Sequence, residues 1–243
     1  MTNPKITLTQ GKTTKTVDLY SDAGFELMAE LWNKVAFHNR LMYQPTWLGI
    51  PIIQYPDDIV MMQELIWKVR PDVIIETGVA HGGSAVFYAS ILELLGKGRV
   101  IGVDIEIRQY NKAAIKSHPL SKRIQLIEGS SVDEDVIRKV KEMIGDKDKV
   151  LVTLDSNHTY EHVSREIEMY SQFVSPDSYL VVMDGIQKAL WDVPSGKEAW
   201  LNDNPLDAIE GFLKRHREWQ ADEHYARLKV TTNPSGFLTR PVK

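Results

Sequence analysis

The chain has 243 residues, 43% of them hydrophobic, enough to bury one sizeable core but not two full ones. Its 29 basic and 33 acidic residues leave a net charge of −4. No Lys/Arg run is dense enough to track a phosphate backbone, so no nucleic-acid partner is expected. Cysteine is absent, which excludes disulfides, thiolate metal sites and a cysteine nucleophile, and fits a cytoplasmic protein.

Met1 to Gln10 lacks the apolar core of a signal peptide. No apolar stretch approaches the roughly 20 residues that span a bilayer, so no membrane partner is expected. Residues 1–55 read as an N-terminal extension, with a helix from Ala23 to Val35 and then an aromatic stretch around Phe37, Tyr43 and Trp47.

Residues 56–243 read as one domain. Pro56-Asp57-Asp58 starts a helix whose apolar face is Ile59, Met62, Ile66 and Val69. Short β-branched runs follow at Val73–Ile75, Val100–Val103, Ile124–Ile127, Val150–Leu154 and Tyr179–Met183. Continuous apolar runs of this length suit strands buried on both faces, as in a parallel sheet. Between them lie helical faces: Val86, Ala89 and Leu92; then Val136, Val140, Met143 and Ile144; then Val163, Ile167, Tyr170 and Val174. The alternation predicts right-handed crossovers and a doubly wound, Rossmann-like α/β sheet. Trp191 to Asn204 reads as a long loop and Pro205 to about Trp219 as a helix capped by Asn204. Leu228–Thr232 and Gly236–Thr239 read as a closing β-hairpin.

The chemistry gathers where strands end. Glu76-Thr-Gly-Val-Ala-His-Gly-Gly-Ser84 follows the first sheet strand. Gly78 permits a tight turn, Gly82 and Gly83 let backbone approach a ligand, and Ser84 can open the next helix. Alanine at position 80 breaks the Gly-x-Gly-x-x-Gly pattern, and the lysine of a phosphate loop is missing. S-adenosylmethionine has no phosphate and carries an ammonium that Glu76 can face, so it suits the loop better than a nucleotide does. An ordinary glycine-rich turn is the competing reading.

Asp104 ends the second strand, placed to accept hydrogen bonds from ribose hydroxyls, with Glu106 close by. Glu128-Gly-Ser130-Ser131 ends the third, where an adenine-contacting loop would sit; a simple helix cap is equally open. Asp155 ends the fourth strand and His158 follows. Together they suit a proton-removing site for an oxygen nucleophile, with His158 as base and His81 as a lesser candidate. Asp184 ends the fifth strand, so Asp155 and Asp184 could converge on a hard cation such as Mg2+. Two solvated strand-end acids remain the alternative.

With these residues assembled, the chain resembles the family of cephalosporin hydroxylases and rhamnosyl O-methyltransferases. The resemblance runs from about Leu31 to Arg240. It includes Trp47-Leu-Gly-Ile-Pro-Ile-Ile-Gln-Tyr-Pro56, Glu76 to Ser84, Asp104, Leu154-Asp-Ser-Asn-His-Thr-Tyr160 and Thr232-Asn-Pro-Ser-Gly-Phe-Leu-Thr-Arg240. It implies a class I methyltransferase fold and S-adenosylmethionine as cofactor. It further implies methyl transfer to a hydroxyl of a sugar or natural product, and a homo-oligomer. With the strand-end reading of Ser130, the cofactor set expected is Glu76, Gly78, His81, Gly82, Ser84, Asp104, Ser130 and Asp155. The family's metal site pairs Asp155 with two acids ending the fifth strand; here that pair reads Met183-Asp184. Iron-dependent hydroxylation, which uses two histidines and one carboxylate, has no matching motif. The nearest, His216-x-Glu218, falls in the expected C-terminal helix.

Overall fold

A computed structural model describes residues 3–241. The N-terminal segment opens with a β-hairpin of β1 (Lys5–Gln10) and β2 (Thr13–Asp18), turning at Gly11 with φ +59°. Its strands carry Thr opposite Thr, and Thr7 and Thr16 share a hydroxyl hydrogen bond of 3.0 Å. Helix α1 (Asp22–His38) follows, its N-cap Ser21 hydroxyl accepting from the Gly24 N–H at 3.1 Å. The expectation of a helix here holds, and the hairpin before it is an addition. A two-residue pair, β3 (Thr46–Trp47) and β4 (Ile50–Pro51), leads into α2 (Pro56–Val69), with proline in the first turn as expected.

The alternating region then builds β5 (Val73–Thr77), α3 (Gly83–Leu94), β6 (Arg99–Asp104), α4 (Gln109–Ser117), β7 (Ile124–Glu128), α5 (Glu134–Glu142), β8 (Val150–Leu154), α6 (Tyr160–Ser171) and β9 (Tyr179–Val182). After α7 (Pro205–Arg215) come β10 (Gln220–Ala221) and β11 (Phe237–Thr239). The seven-stranded sheet has the order β7-β6-β5-β8-β9-β11-β10. Its first five strands are parallel, and β11 inserts antiparallel beside β9. The chain travels outward through β6 and β7, then returns to build on the other side of β5. A switch point therefore lies between β5 and β8.

Every residue of β5 and β8 is buried, which explains why they read as unbroken apolar runs. Their alternate side chains, with those of β9, feed two cores. Ile74, Leu151 and Val181 meet α2 and α3 through Met62, Leu65, Phe87 and Tyr88. Val73, Ile75, Val152 and Leu180 meet α5, α6 and α7 through Val140, Ile167, Ile209 and Phe212. Among the described residues no helix is long and apolar enough to cross a membrane.

Two expectations for the C-terminal region are corrected. The last helix ends at Arg215, because Trp219 turns back to pack edge-on against Phe212, 5.7 Å between centroids. The hairpin does close the sheet, but its first strand is Gln220–Ala221 and not Leu228–Thr232. Lys229 takes φ +64°, and the Thr231 and Thr232 hydroxyls turn inward to the buried carboxylate of Asp58. Inward bonding of both neighbours is incompatible with a strand's alternation.

Candidate active site

The ends of β5, β8 and β9 line a cleft of about 230 Å³, and the ends of β6 and β7 line a smaller pocket of about 130 Å³ beside it. Gly78 stands between them and lines both. It has φ +87°, and a Cβ there would lie 1.9 Å from the Asp155 carbonyl oxygen. Only glycine can turn the chain off β5 this close to the end of β8. The loop continues through Ala80, also left-handed at φ +46°, and reaches Gly82, which caps α3. Gly82 therefore opens the helix where Ser84 was expected to; Ser84 lies in its first turn and lines the larger cleft.

Glu76 sits behind this loop, 1% exposed. Its Oε2 has no hydrogen-bond partner. Burial pushes its carboxyl up to about 8; a Ser84 hydrogen bond opposes the rise, and the Asp155 and Asp104 charges add to it. An orphaned buried acceptor of this kind is what an incoming ammonium would satisfy. Asp104 braces the loop: its Oδ2 accepts from the Ala80 N–H at 2.9 Å and its Oδ1 from the Glu106 N–H at 3.1 Å. Each carboxylate oxygen keeps a further lone pair for a ligand. His81 lines the cleft, its Nδ1 3.4 Å from Asn111 Oδ1, while Asn111 donates to the Ala80 carbonyl at 2.8 Å.

The smaller pocket is lined by Asp104, Ser130 and Ser131, and also by Ser156, Asn157 and His162. Sequence reasoning missed these last three. His162 Nε2 lies 3.1 Å from both the Ser131 and the Ser156 hydroxyls, and Ser156 donates to the buried Glu166 at 2.7 Å. Position four residues before Glu166 on one helical face was the available signal.

Asp155, His158 and Asp184 meet at the floor of the larger cleft, with a ligand atom of each within 4.8 Å of the others. His158 Nδ1 is 2.8 Å from Asp184 Oδ2, a close ion-pair contact without hydrogen-bond alignment, and its Nε2 is 3.8 Å from Asp155 Oδ1. Burial alone would lower the imidazole pKa. The Asp184 and Asp155 carboxylates outweigh it and hold His158 at about 9. Burial and the Asp184 charge push Asp155 well above the usual carboxylate range, with the His158 charge opposing. Two carboxylates drawn this close favour a cation between them, and two oxygen donors plus one nitrogen fit a divalent ion. Asp184 reaches the cluster by a left-handed φ of +59°. Met183, where the resemblance carries an acid, is instead buried, its sulfur accepting from the Gln54 amide at 3.7 Å.

The cleft's remaining wall comes from the N-terminal region: Tyr43, Pro51, Ile53 and Gln54. Tyr43 also lines an adjoining open groove with Phe37, Arg40, Met42 and Ser195. Trp47 does not join them; it packs on Phe87 and donates to Ser90 at 3.1 Å. From the long loop, Ser195 reaches the groove, while Trp200 packs edge-on against Phe37. His216 and Glu218 lie away from the cleft, with His216 paired to Glu168 at 3.0 Å.

A family model described as Rhamnosyl O-methyltransferase/CmcI matches residues 39–241. The rhamnosyl O-methyltransferase of Mycobacterium tuberculosis (strain ATCC 25618 / H37Rv) is 26% identical over 219 residues, covering 88% of this chain and 86% of the relative. That of Mycobacterium leprae (strain TN) is 28% identical over 220 residues, covering 88% and 90%. Among solved structures, a CmcI structure with Mg and SAM superposes at a TM-score of 0.60 with 18% identity, covering 82% of this chain and 78% of that one. An O-methyltransferase from Bacillus cereus in complex with SAH superposes at 0.52 with 14% identity, covering 84% of each. Both structures share this chain's fold.

Proposed function

The chain belongs to the Rhamnosyl O-methyltransferase/CmcI family, and from that premise we propose that it is an S-adenosylmethionine-dependent O-methyltransferase acting on a hydroxyl of a sugar or natural product. The observation that carries the reading is the buried Glu76, its Oε2 without a hydrogen-bond partner, behind the Gly78–Ser84 loop and beside the Asp155–His158–Asp184 cluster. Related proteins are named as rhamnosyl O-methyltransferases, which favours a glycosyl hydroxyl as acceptor.

In this reading Glu76 receives the cofactor's ammonium, and Asp104 with Ser130, Ser131, Asn157 and His162 holds its nucleoside. S-adenosylmethionine supplies an electrophilic sulfonium methyl. Asp155 and Asp184 would hold an assisting Mg2+, which supplies Lewis acidity toward the acceptor hydroxyl. His158 would take the proton of the acceptor hydroxyl as its oxygen accepts the methyl group. At about 9 the imidazole already carries a proton at neutral pH, so it acts as base only where positive charge offsets its two carboxylate neighbours. Tyr43, Ile53 and Gln54 flank the acceptor and help exclude water, and alignment of oxygen and methyl supplies much of the rate.

A hydroxylase reading gains nothing from the cluster, which offers one imidazole and two carboxylates, not two imidazoles and one carboxylate. Methyl transfer from labelled S-adenosylmethionine to a panel of glycosides, with and without Mg2+, tests the proposal. Labelled ethers should form with some panel members, and formation should collapse in Asp155→Ala. Label staying in the donor across a broad panel of glycosides and hydroxylated natural products, with the donor bound, would remove the methyltransferase assignment.

A further inference from the structure

Asp184 stands in a backbone conformation that a non-glycine residue enters at a cost of about 1 kcal/mol or more, so something must hold it there. Its N–H donates to Asn233 Oδ1 at 3.1 Å, across 49 residues of chain. Asn233 is 1% exposed, and its own N–H donates to the Thr231 hydroxyl at 2.9 Å. The Thr232 hydroxyl lies 2.9 Å from Asn233 Oδ1 and 3.0 Å from Asp58 Oδ2, so its one proton sits between the two acceptors. The Thr232 N–H donates to the same Asp58 oxygen at 2.8 Å, and the Thr231 hydroxyl donates to Asp58 Oδ1. Next along the chain from Asp184 and Gly185, the Ile186 N–H donates to the Thr232 carbonyl at 3.0 Å.

Asp58 is 1% exposed, and every partner the structure gives its carboxylate is a neutral donor from Thr231 or Thr232. A buried carboxylate is expensive to keep without a counter-charge. Here it anchors a segment whose next residue, Asn233, grips the backbone of Asp184. Asp58 also lies in the first turn of α2, four residues after Gln54, which with Ile53 walls the cleft.

We propose that Asn233 is a positioning residue for the cation site, setting the carboxylate of Asp184 through its backbone, with Asp58 as the buried anchor that fixes Asn233 through Thr232. This rests on the reading of Asp155 and Asp184 as cation ligands. The same chain of bonds ties the acceptor-side wall, through α2, to that site.

Mn2+ titration of the protein followed by electron paramagnetic resonance tests it, with SAH affinity measured in parallel. Asn233→Ala should weaken Mn2+ binding about tenfold or more, in the range seen when groups behind metal ligands are removed, and leave SAH affinity within about twofold. Asn233→Asp keeps an acceptor oxygen for the Asp184 N–H and should restore most of the loss. Adding Asn233→Ala to Asp184→Ala should weaken Mn2+ no further, because the first acts through the second. Should Asn233→Ala not fold, Thr232→Val removes the bridging hydroxyl and should shift Mn2+ affinity in the same direction. Unchanged Mn2+ binding in these variants overturns the inference, as does a loss of SAH and Mn2+ binding together that Asn233→Asp fails to rescue. A wild-type protein that takes up no Mn2+ would instead overturn the cation reading, and this inference with it.

Discussion

Glu76 is a carboxylic acid lodged where water does not reach, and its protonation couples binding to pH. Before a ligand arrives, its carboxyl sits near 8 and is neutral at pH 7. A neighbouring ammonium favours the charged form, so S-adenosylmethionine or SAH binding should release a proton. Affinity should climb as pH rises from 6 toward 8, by at most about tenfold per pH unit. Calorimetry in buffers of different ionisation enthalpy checks this, and Glu76→Gln should weaken binding by about 2 kcal/mol and flatten the profile. Stability of the ligand-free protein runs the other way. A folded-state pKa raised above the usual 4.5 contributes stability that is full below that value and lost as pH passes about 8. Glu76→Gln should therefore unfold at a higher temperature than wild type at pH 8.5. His158 poses a different question, whether it removes the proton or ligates the cation. As base, His158→Ala should reduce methyl transfer by about a hundredfold or more with Mn2+ affinity nearly unchanged; a parallel fall in Mn2+ affinity would make it a ligand.

The loop from Gly78 to Ser84 works because of a close approach, not because glycine is flexible. A methyl group at position 78 would collide with the carbonyl of Asp155 while φ is +87°. Gly78→Ala should cost about 3 kcal/mol or more in stability and abolish SAH binding, read by thermal unfolding with and without SAH. This part of the site was legible in the sequence, since strand-end acids and turn glycines occur at fixed places in an alternating chain. Runs such as Val150–Leu154 are buried on both faces, so their pattern names their state. The hairpin at Lys5–Asp18 was harder, because its apolar side is only Ile6, Leu8 and Val17, each half-buried, in a ribbon otherwise of exposed polar residues. Leu228–Thr232 misled for the opposite reason. Its threonines look like strand residues, yet they serve the buried Asp58, a partner some 170 residues away that no local pattern reveals. His162 and Asn233 escaped likewise, because their roles depend on packing between distant elements.

At the scale of the molecule, helix α1 leaves an apolar stripe uncovered. Phe25, Met28, Trp32 and Val35 recur at three- and four-residue spacing and are each 47–55% exposed. We propose that this face meets a second copy of the chain, which would cover the stripe. Sedimentation should then show a dimer or larger assembly that Trp32→Glu dissociates, with SAH affinity retained; a monomeric wild type would refute it. The cofactor site itself needs only the sheet and its loops. Titrating SAH into the protein at pH 8 tests whether that site takes the cofactor. Saturable binding at one SAH per chain, weakened by Glu76→Gln and absent in Gly78→Ala, is the predicted result. No heat of binding and no thermal shift with the folded wild-type protein would contradict the account.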